Sequence, residues 1–217
     1  SFNMQLLGRL EFEQQTSDIT GFYQDGREFA VIGLQNTTAF VDVTTPSEAF
    51  EVGRIDGGTS IWRDVKYWNR HVYIGTEADD GIKVVNVDNP DNPTLVYTIT
   101  DVDNSHNVHV ADGYLYIVGA DEYDIWIYDL AFPGNPSLVG TWSGEYIHDI
   151  DVVDDIIYGM AIYSSTAYII DATDKTNPQT LVSWQYPGMA HDCALSEDGN
   201  YLVTADEMAG GNLKLWD

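Results

Sequence analysis

"SHNVHVADGYLYIVGADEYDIWIYDLAFPGNPSLVGTWS", residues 105–143, holds four short runs rich in Val, Ile, Tyr and Trp, separated by turn-forming residues. Alternation of period two predicts strands at 107–111, 114–120, 125–130 and 137–143. Between them lie Asp112-Gly113, the acidic loop 121–124 and the "PGNP" turn at 133–136, the residue types that reverse a chain sharply. Four antiparallel strands in a unit of about 43 residues have the length of one β-propeller blade. The unit is too short for a seven-stranded sandwich, which needs about 100 residues, so tandem immunoglobulin-like domains are disfavoured.

The unit recurs along the chain. "TSDITGFY", "WRDVKYW", "SHNVHVADG", "IHDIDVVDD" and "AHDCALSEDG" align Asp18, Asp64, Asn107, Asp149 and Asp192 at spacings of 46, 43, 42 and 43. Independently, "TAFVDV", "IKVVNV", "IWIYDL", "AYIIDA" and "LKLWD" align Asp42, Asn86, Asp129, Asp171 and Asp217 at spacings of 44, 43, 42 and 46. Two markers that keep one period point to an all-β repeat fold, a β-propeller of about five four-stranded blades. Residues 1–217 then form one domain, with blades at 13–56, 57–100, 101–143 and 144–187, and a last blade made from 188–217 plus 1–12. The last unit stops after its third strand, at "NLKLWD", and the opening "MQLLGRLEF" is similar to the fourth-strand stretches "TLVYTIT", "SLVGTWS" and "TLVSWQY". The N-terminal strand is therefore expected to complete the last blade and leave no open edge. The alternative is a piece of a larger ring.

Composition narrows the partners. Nine Lys and Arg against 35 Asp and Glu leave a net charge of −26, which repels nucleic acid and anionic membrane and attracts cations or basic proteins. No apolar run approaches the roughly 20 residues that cross a bilayer, and the first residues lack a secretion signal's basic and apolar regions, so a soluble, processed chain is expected. The 44% hydrophobic content suffices for a sizeable core. Cys193 is the single cysteine and reads as a small buried hydrophobe, which excludes an internal disulfide, a CxxC redox pair and a zinc ribbon. There is no phosphate-binding glycine loop, nucleophile elbow or HExxH, and no organic cofactor is expected.

The stretches that follow each third strand, "VDVTTPSEAFEVG", "VNVDNPDNPTLVY", "YDLAFPGNPSLVG" and "IDATDKTNPQTLVS", resemble the LVIVD-repeat type of bacterial propeller. With "LLGRL", "SDITGFYQDGREFAVIGLQN" and "SIWRDVKYWNRHVYIGTEADDGIKVVNV", nearly the whole chain is similar to the choice-of-anchor B family of surface proteins. The resemblance implies a propeller exported by bacteria and displayed at the cell surface, with no settled activity attached.

Blade geometry turns positions into places. The loops before each first strand and those between second and third strands share one mouth of the channel. Arg63, Asp64, Asn107, Asp149 and Asp192, with Asp18, come from the first set of loops; Glu122, Asp206 and Glu207, with Glu77, Asp79, Asp80 and Asp121, come from the second. His106, His148 and His191 add three imidazoles, a pattern suited to zinc, copper, iron or nickel, while the acidic loops suit calcium or magnesium. The Asp or Asn of the first marker, at positions 18, 64, 107, 149 and 192, occurs in all five units and reads as a device that bonds the neighbouring blade's backbone. The histidine before it occurs only in the last three units, replaced by Ser17 and Arg63 in the first two, as a site on one side of a ring would be. For these histidines a structural role and a ligand-binding role both stay open. His71 and His109, inside strand runs, read as packed or surface residues, and Trp62 beside Arg63 as a candidate for the mouth.

The leading expectation is a secreted or cell-surface scaffold whose acidic mouth binds a cation, a glycan or a basic protein surface. The alternative is a metal-dependent hydrolase or lyase, with His106, His148 and His191 on the metal and Asp149 or Asp192 as base or orienting group.

Overall fold

Each of the first four repeats begins as a tight hairpin. Asp25-Gly26, Asn69-Arg70, Asp112-Gly113 and Asp154-Asp155 all have positive φ at both positions, the two-residue turn whose twist matches antiparallel strands. The computed structural model describes residues 4–122 and 124–217; Ser1–Asn3, at the start of the expected closing strand, and Tyr123, in the expected acidic loop, lie outside the described residues. The hairpins grow into five antiparallel sheets, each meandering in chain order. Sheet 1 is β1 (Thr16–Gln24), β2 (Arg27–Leu34), β3 (Thr37–Asp42) and β4 (Phe50–Asp56). Sheet 2 is β5 (Arg63–Trp68), β6 (His71–Thr76), β7 (Ile82–Asn86) and β8 (Thr94–Ile99). Sheet 3 is β9 (Asn107–Ala111), β10 (Tyr114–Val118), β11 (Ile125–Asp129) and β12 (Ser137–Trp142). Sheet 4 is β13 (Asp149–Val153), β14 (Ile156–Ala161), β15 (Thr166–Asp171) and β16 (Gln179–Gln185), and sheet 5 is β17 (Ala190–Leu195), β18 (Leu202–Asp206) and β19 (Leu213–Trp216). Among the described residues the one helical element is the single turn Pro46–Glu48, and no helix is long and apolar enough to cross a membrane.

The second sequence marker is a corner device. Asp42, Asn86, Asp129 and Asp171 end their third strands, and each side-chain Oδ1 accepts from the N–H two residues on, in Thr44, Asp88, Ala131 and Thr173, at 2.6–3.0 Å. This short side-chain turn reverses the chain toward the fourth strand. Each third-to-fourth strand pairing also carries a bulge at the same repeat position: Phe40/Val41, Val84/Val85, Ile127/Tyr128 and Ile169/Ile170. The outer strand is free to absorb the extra residue, since a bulge bends an edge at little cost to the pairs inside it.

Successive sheets pack face to face, with β1 against β5, β5 against β9, β9 against β13 and β13 against β17. Apolar clusters fill the joints. Phe22, Phe29 and Phe40 meet Val65 and Ile74 between sheets 1 and 2, and Ile82 and Val84 meet Leu115 and Ile117 between sheets 2 and 3. On the other face of β10, Tyr116 and Val118 meet Ile150 and Ile157 of sheet 4. A strand buried on both faces needs apolar residues at every position, which explains the unbroken run "YLYIV" in place of a polar alternation. Met160 and Ala167 meet Ala190 and Cys193 in the smallest joint, between sheets 4 and 5. Cys193 is buried there as a small apolar side chain, its Sγ 3.3 Å from the Tyr158 carbonyl.

One expectation is corrected. Residues 4–12 form no strand, and sheet 5 has three strands among the described residues. The N-terminal stretch lies instead along sheet 1, with Phe12 packed on Ile32, Leu34, Ala39 and Val41. A Cβ on Gly8 would run into the Pro46 carbonyl, so a glycine is what lets the two backbones pass so closely. The physical cause is that this face of sheet 1, unlike the faces of sheets 2–4, has no adjacent sheet to cover it. Leu10 and Phe12 gain more from covering that apolar surface than from hydrogen bonding to β19.

Candidate functional site

The first residue of each repeat's inner strand, and the residue before it, lie at one end of the row of sheets. His106 and His148 sit just ahead of β9 and β13 and extend the strand pairing by one bond: the His106 N–H donates to the Val118 carbonyl at 3.1 Å, and the His148 N–H to the Met160 carbonyl at 2.8 Å. His191 lies within β17. The repeat thereby sets the imidazoles in a row of tilted rings, with centroids 3.9 Å apart for His106–His148 and 4.5 Å for His148–His191. Gly119, at φ 63°, makes room for it: a Cβ there would strike His106 and come within 2.9 Å of the Tyr146 hydroxyl.

Two adjoining cavities share this row. The inner one, about 360 Å³, is lined by the histidines together with Asp18, Asp64, Asn107 and Asp149. The outer one, about 210 Å³, is lined by the histidines, Glu207, Tyr146, Tyr163 and Met189. Trp62 borders both, its ring 5.9 Å from His106. The inner strands thus bring together His106, His148, His191, Asp64, Asn107 and Asp149 as expected.

Other expected residues have different roles. Arg63 lines the cavity but is buried, with Nε 3.0 Å from the Leu34 carbonyl and Nη2 2.5 Å from that of Gly58. Its guanidinium serves the junction of sheets 1 and 2. Asp192 is exposed, its Oδ1 accepting from the Cys193 N–H at 2.7 Å. Asp206 lines neither cavity and pairs with Lys214; Glu122 is exposed, at φ 72°, and also lines neither. Glu77 binds the His106 Nδ1 at 2.7 Å, Asn104 bridges Asp79 and Asp121, and Asp80 pairs with Lys83 at 2.5 Å.

The marker carboxylates divide in function. Asp18 Oδ2 accepts from the Val65 N–H at 3.2 Å, and Asp64 Oδ2 from the Val108 N–H at 2.7 Å, so each ties its sheet to the next. In sheet 4 the tie moves two residues along: Asp151 Oδ2 accepts from the Leu195 N–H at 2.7 Å. His109, one of the lesser candidates, lies 3.9 Å from Asp151 Oδ1 in this second layer.

Electrostatics follow from burial. His148 is 6% exposed, and burial, followed by the neighbouring His106 and His191 rings, pushes its pKa down to about 3, so the ring is neutral at physiological pH. Burial, followed by the charges of Asp192 and Asp64, pushes the Asp149 carboxyl up to about 8. Burial and the adjacent Asp18 also raise Asp64, against the pull of Lys66 at 2.6 Å. His148 Nδ1 has no hydrogen-bond partner, and Asp149 Oδ2 lies 3.8 Å from it.

Glu207 joins the row from the loop after β18. One ligand atom from each of His148, His191 and Glu207 lies within 4.8 Å of the other two. Sequence reasoning missed the aromatic wall. Its signal was present in the register: Tyr146 and Met189 stand two residues before His148 and His191, the place Asn104 takes before His106.

No protein-family model matches the chain, and no curated protein matches it. Among solved structures it is similar to a functionally unknown protein from Desulfotomaculum acetoxidans DSM 771, at 12% identity and a TM-score of 0.74, over 100% of this chain and 74% of that one. At that identity the likeness shows the fold alone.

Proposed function

We propose that the five sheets are successive blades of a β-propeller, and that the chain is an exported or cell-surface bacterial scaffold whose channel mouth binds a cation. The repeat of corner, hairpin and bulge, and the packing of inner strand on inner strand, support the blade reading. The resemblance to choice-of-anchor B proteins supports export. The observation that carries the cation reading is the convergence of three adjoining imidazoles with Asp18, Asp64 and Asp149 on one cavity of about 360 Å³. A net charge of −26 favours the same class of ligand, a cation alone or one presented by a glycan or a basic protein.

The test is calorimetric titration of chelator-stripped protein with zinc, nickel, copper, calcium and magnesium, together with thermal melting. A cation that binds only its folded form must raise the melting temperature. If no cation gives heat or moves the melt, the reading fails. A second reading, a metal-dependent hydrolase or lyase, is favoured by the Asp149 carboxyl beside the buried His148. Hydrolysis of activated esters by the metal-loaded protein, lost in Asp149→Asn with metal binding intact, would select it.

A further inference from the structure

Building on the reading of the mouth as a cation site, we propose that it is a transition-metal centre held by His148, His191 and Glu207. The three donors come from separate segments, the start of sheet 4, strand β17 and the loop after β18, and only folding brings their ligand atoms within 4.8 Å. Zinc–ligand bonds of about 2.0–2.1 Å place tetrahedral donors about 3.4 Å apart, so loading requires a contraction of up to about 1.4 Å. Glu207 can supply it, since its side chain is exposed and its N–H makes a long 3.4 Å bond to the Met189 carbonyl.

Independently, His148 is buried and its Nδ1 lacks a hydrogen-bond partner. Buried polar atoms are nearly always paired, and an unpaired imidazole nitrogen among other donors is how a metal ligand looks. Two imidazoles and one carboxylate suit zinc, cobalt, nickel or iron, whereas calcium asks for six to eight oxygens. His106 stands outside the set. Glu77 holds its Nδ1 at 2.7 Å, and its ring lies against His148 at a tilt of 46°, with centroids 3.9 Å apart. Three protein donors leave a coordination position open, and all three line the outer cavity, where Tyr146, Tyr163 and Met189 form an apolar wall for a small ligand.

The experiment titrates the chelator-stripped full chain with Zn²⁺ and Ca²⁺ by calorimetry and with Co²⁺ by visible absorption, for the unaltered protein, His191→Ala, Glu207→Gln and His106→Ala. Circular dichroism checks that each variant folds. The expected result is one Zn²⁺ per chain and cobalt ligand-field bands, with affinity reduced at least about 100-fold in His191→Ala and Glu207→Gln. Removing even a partner behind a ligand costs 10–100-fold. His106→Ala should stay within about tenfold. Equal losses in all three variants, or full affinity in Glu207→Gln, would overturn this donor set and leave the cation reading standing. So would calcium binding that His191→Ala does not touch. No cation binding at all would sink both.

Discussion

Asp64 is the clearest place to ask what holds one sheet to the next. Its carboxyl is 5% exposed and accepts from the Val108 N–H of sheet 3 at 2.7 Å, from the Val65 N–H at 3.0 Å and from Lys66 Nζ at 2.6 Å. Asp64→Ala orphans the Val108 donor, while Val65 and Lys66 keep Asp18 Oδ2, each at 3.2 Å. One buried unsatisfied N–H costs about 1–3 kcal/mol, and the half-stripped ammonium adds to it, for a loss of about 2–4 kcal/mol. Asp64→Asn keeps an acceptor for Val108, and its effect should depend on pH. Burial and Asp18 hold the Asp64 pKa above its unfolded value of about 3.9, so the folded state binds the proton more tightly. A raised carboxyl contributes most stability below the unfolded pKa, and that contribution declines as pH rises toward the folded one. Asparagine has no such decline, so Asp64→Asn should gain on the unaltered protein between about pH 4 and about pH 8. Urea unfolding followed by circular dichroism at both values measures it. A variant that loses ground at the higher pH would show that the charge on Asp64 is net stabilising, and an Asp64→Ala cost below about 0.5 kcal/mol would show that the Val108 bond is no tie.

Other expectations test the packing and the surface charge. Arg27 pairs with Asp42 and Asp91, and although burial opposes the Asp42 charge, its bonds from Thr44 and Arg27 hold its pKa below the usual range. That stability is present above the unfolded pKa and is lost as pH falls, so Arg27→Met should flatten the acid limb of an unfolding profile followed by near-ultraviolet dichroism. Gly140→Ala would drive a Cβ into the Lys175 carbonyl at the β12 bulge and should cost about 1–3 kcal/mol in urea unfolding. Ile127→Ala opens a void in the joint of sheets 3 and 4 and should cost about 2–5 kcal/mol, whereas Leu215→Ala, on the exposed face of β19, should stay within about 0.5 kcal/mol.

The strands and turns were legible because each is a local matter. The four runs of residues 105–143 match β9–β12 to within two residues at their ends, and the Asp-Gly turns carry their own φ preferences. The second marker was visible as a spacing, and its cause is equally local, an Oδ1 bonding a backbone two residues away. Partner choice was not legible. "LLGRL" has the alternation of a fourth strand, but whether it pairs with β19 or covers sheet 1 depends on which distant surface is bare. Asp206 and Glu207 are adjacent in sequence and were grouped for that reason; in the structure one goes to Lys214 and the other to the histidines.

The first marker shows how one repeat position came to carry two jobs. Asp18 and Asp64 spend their carboxylates on the next sheet's backbone, with Lys66 beside both to balance the charge. In "HDID" two carboxylates two residues apart face the same side of β13, and the sequence does not say which one reaches across. Asp151 does, and this frees Asp149 from a tie to the next sheet. The freed carboxyl is the one beside His148, whose ring is buried and whose Nδ1 lacks a hydrogen-bond partner. Moving the architectural bond two residues down the strand therefore leaves the Asp149 carboxyl on the cavity without an inter-sheet bond. Sheets 1 and 2, which keep the bond at the marker position, have Ser17 and Arg63 where a donor would stand, and both are bonded to backbone carbonyls. Where the tie stays at the marker position, as in sheets 1 and 2, no histidine precedes the marker.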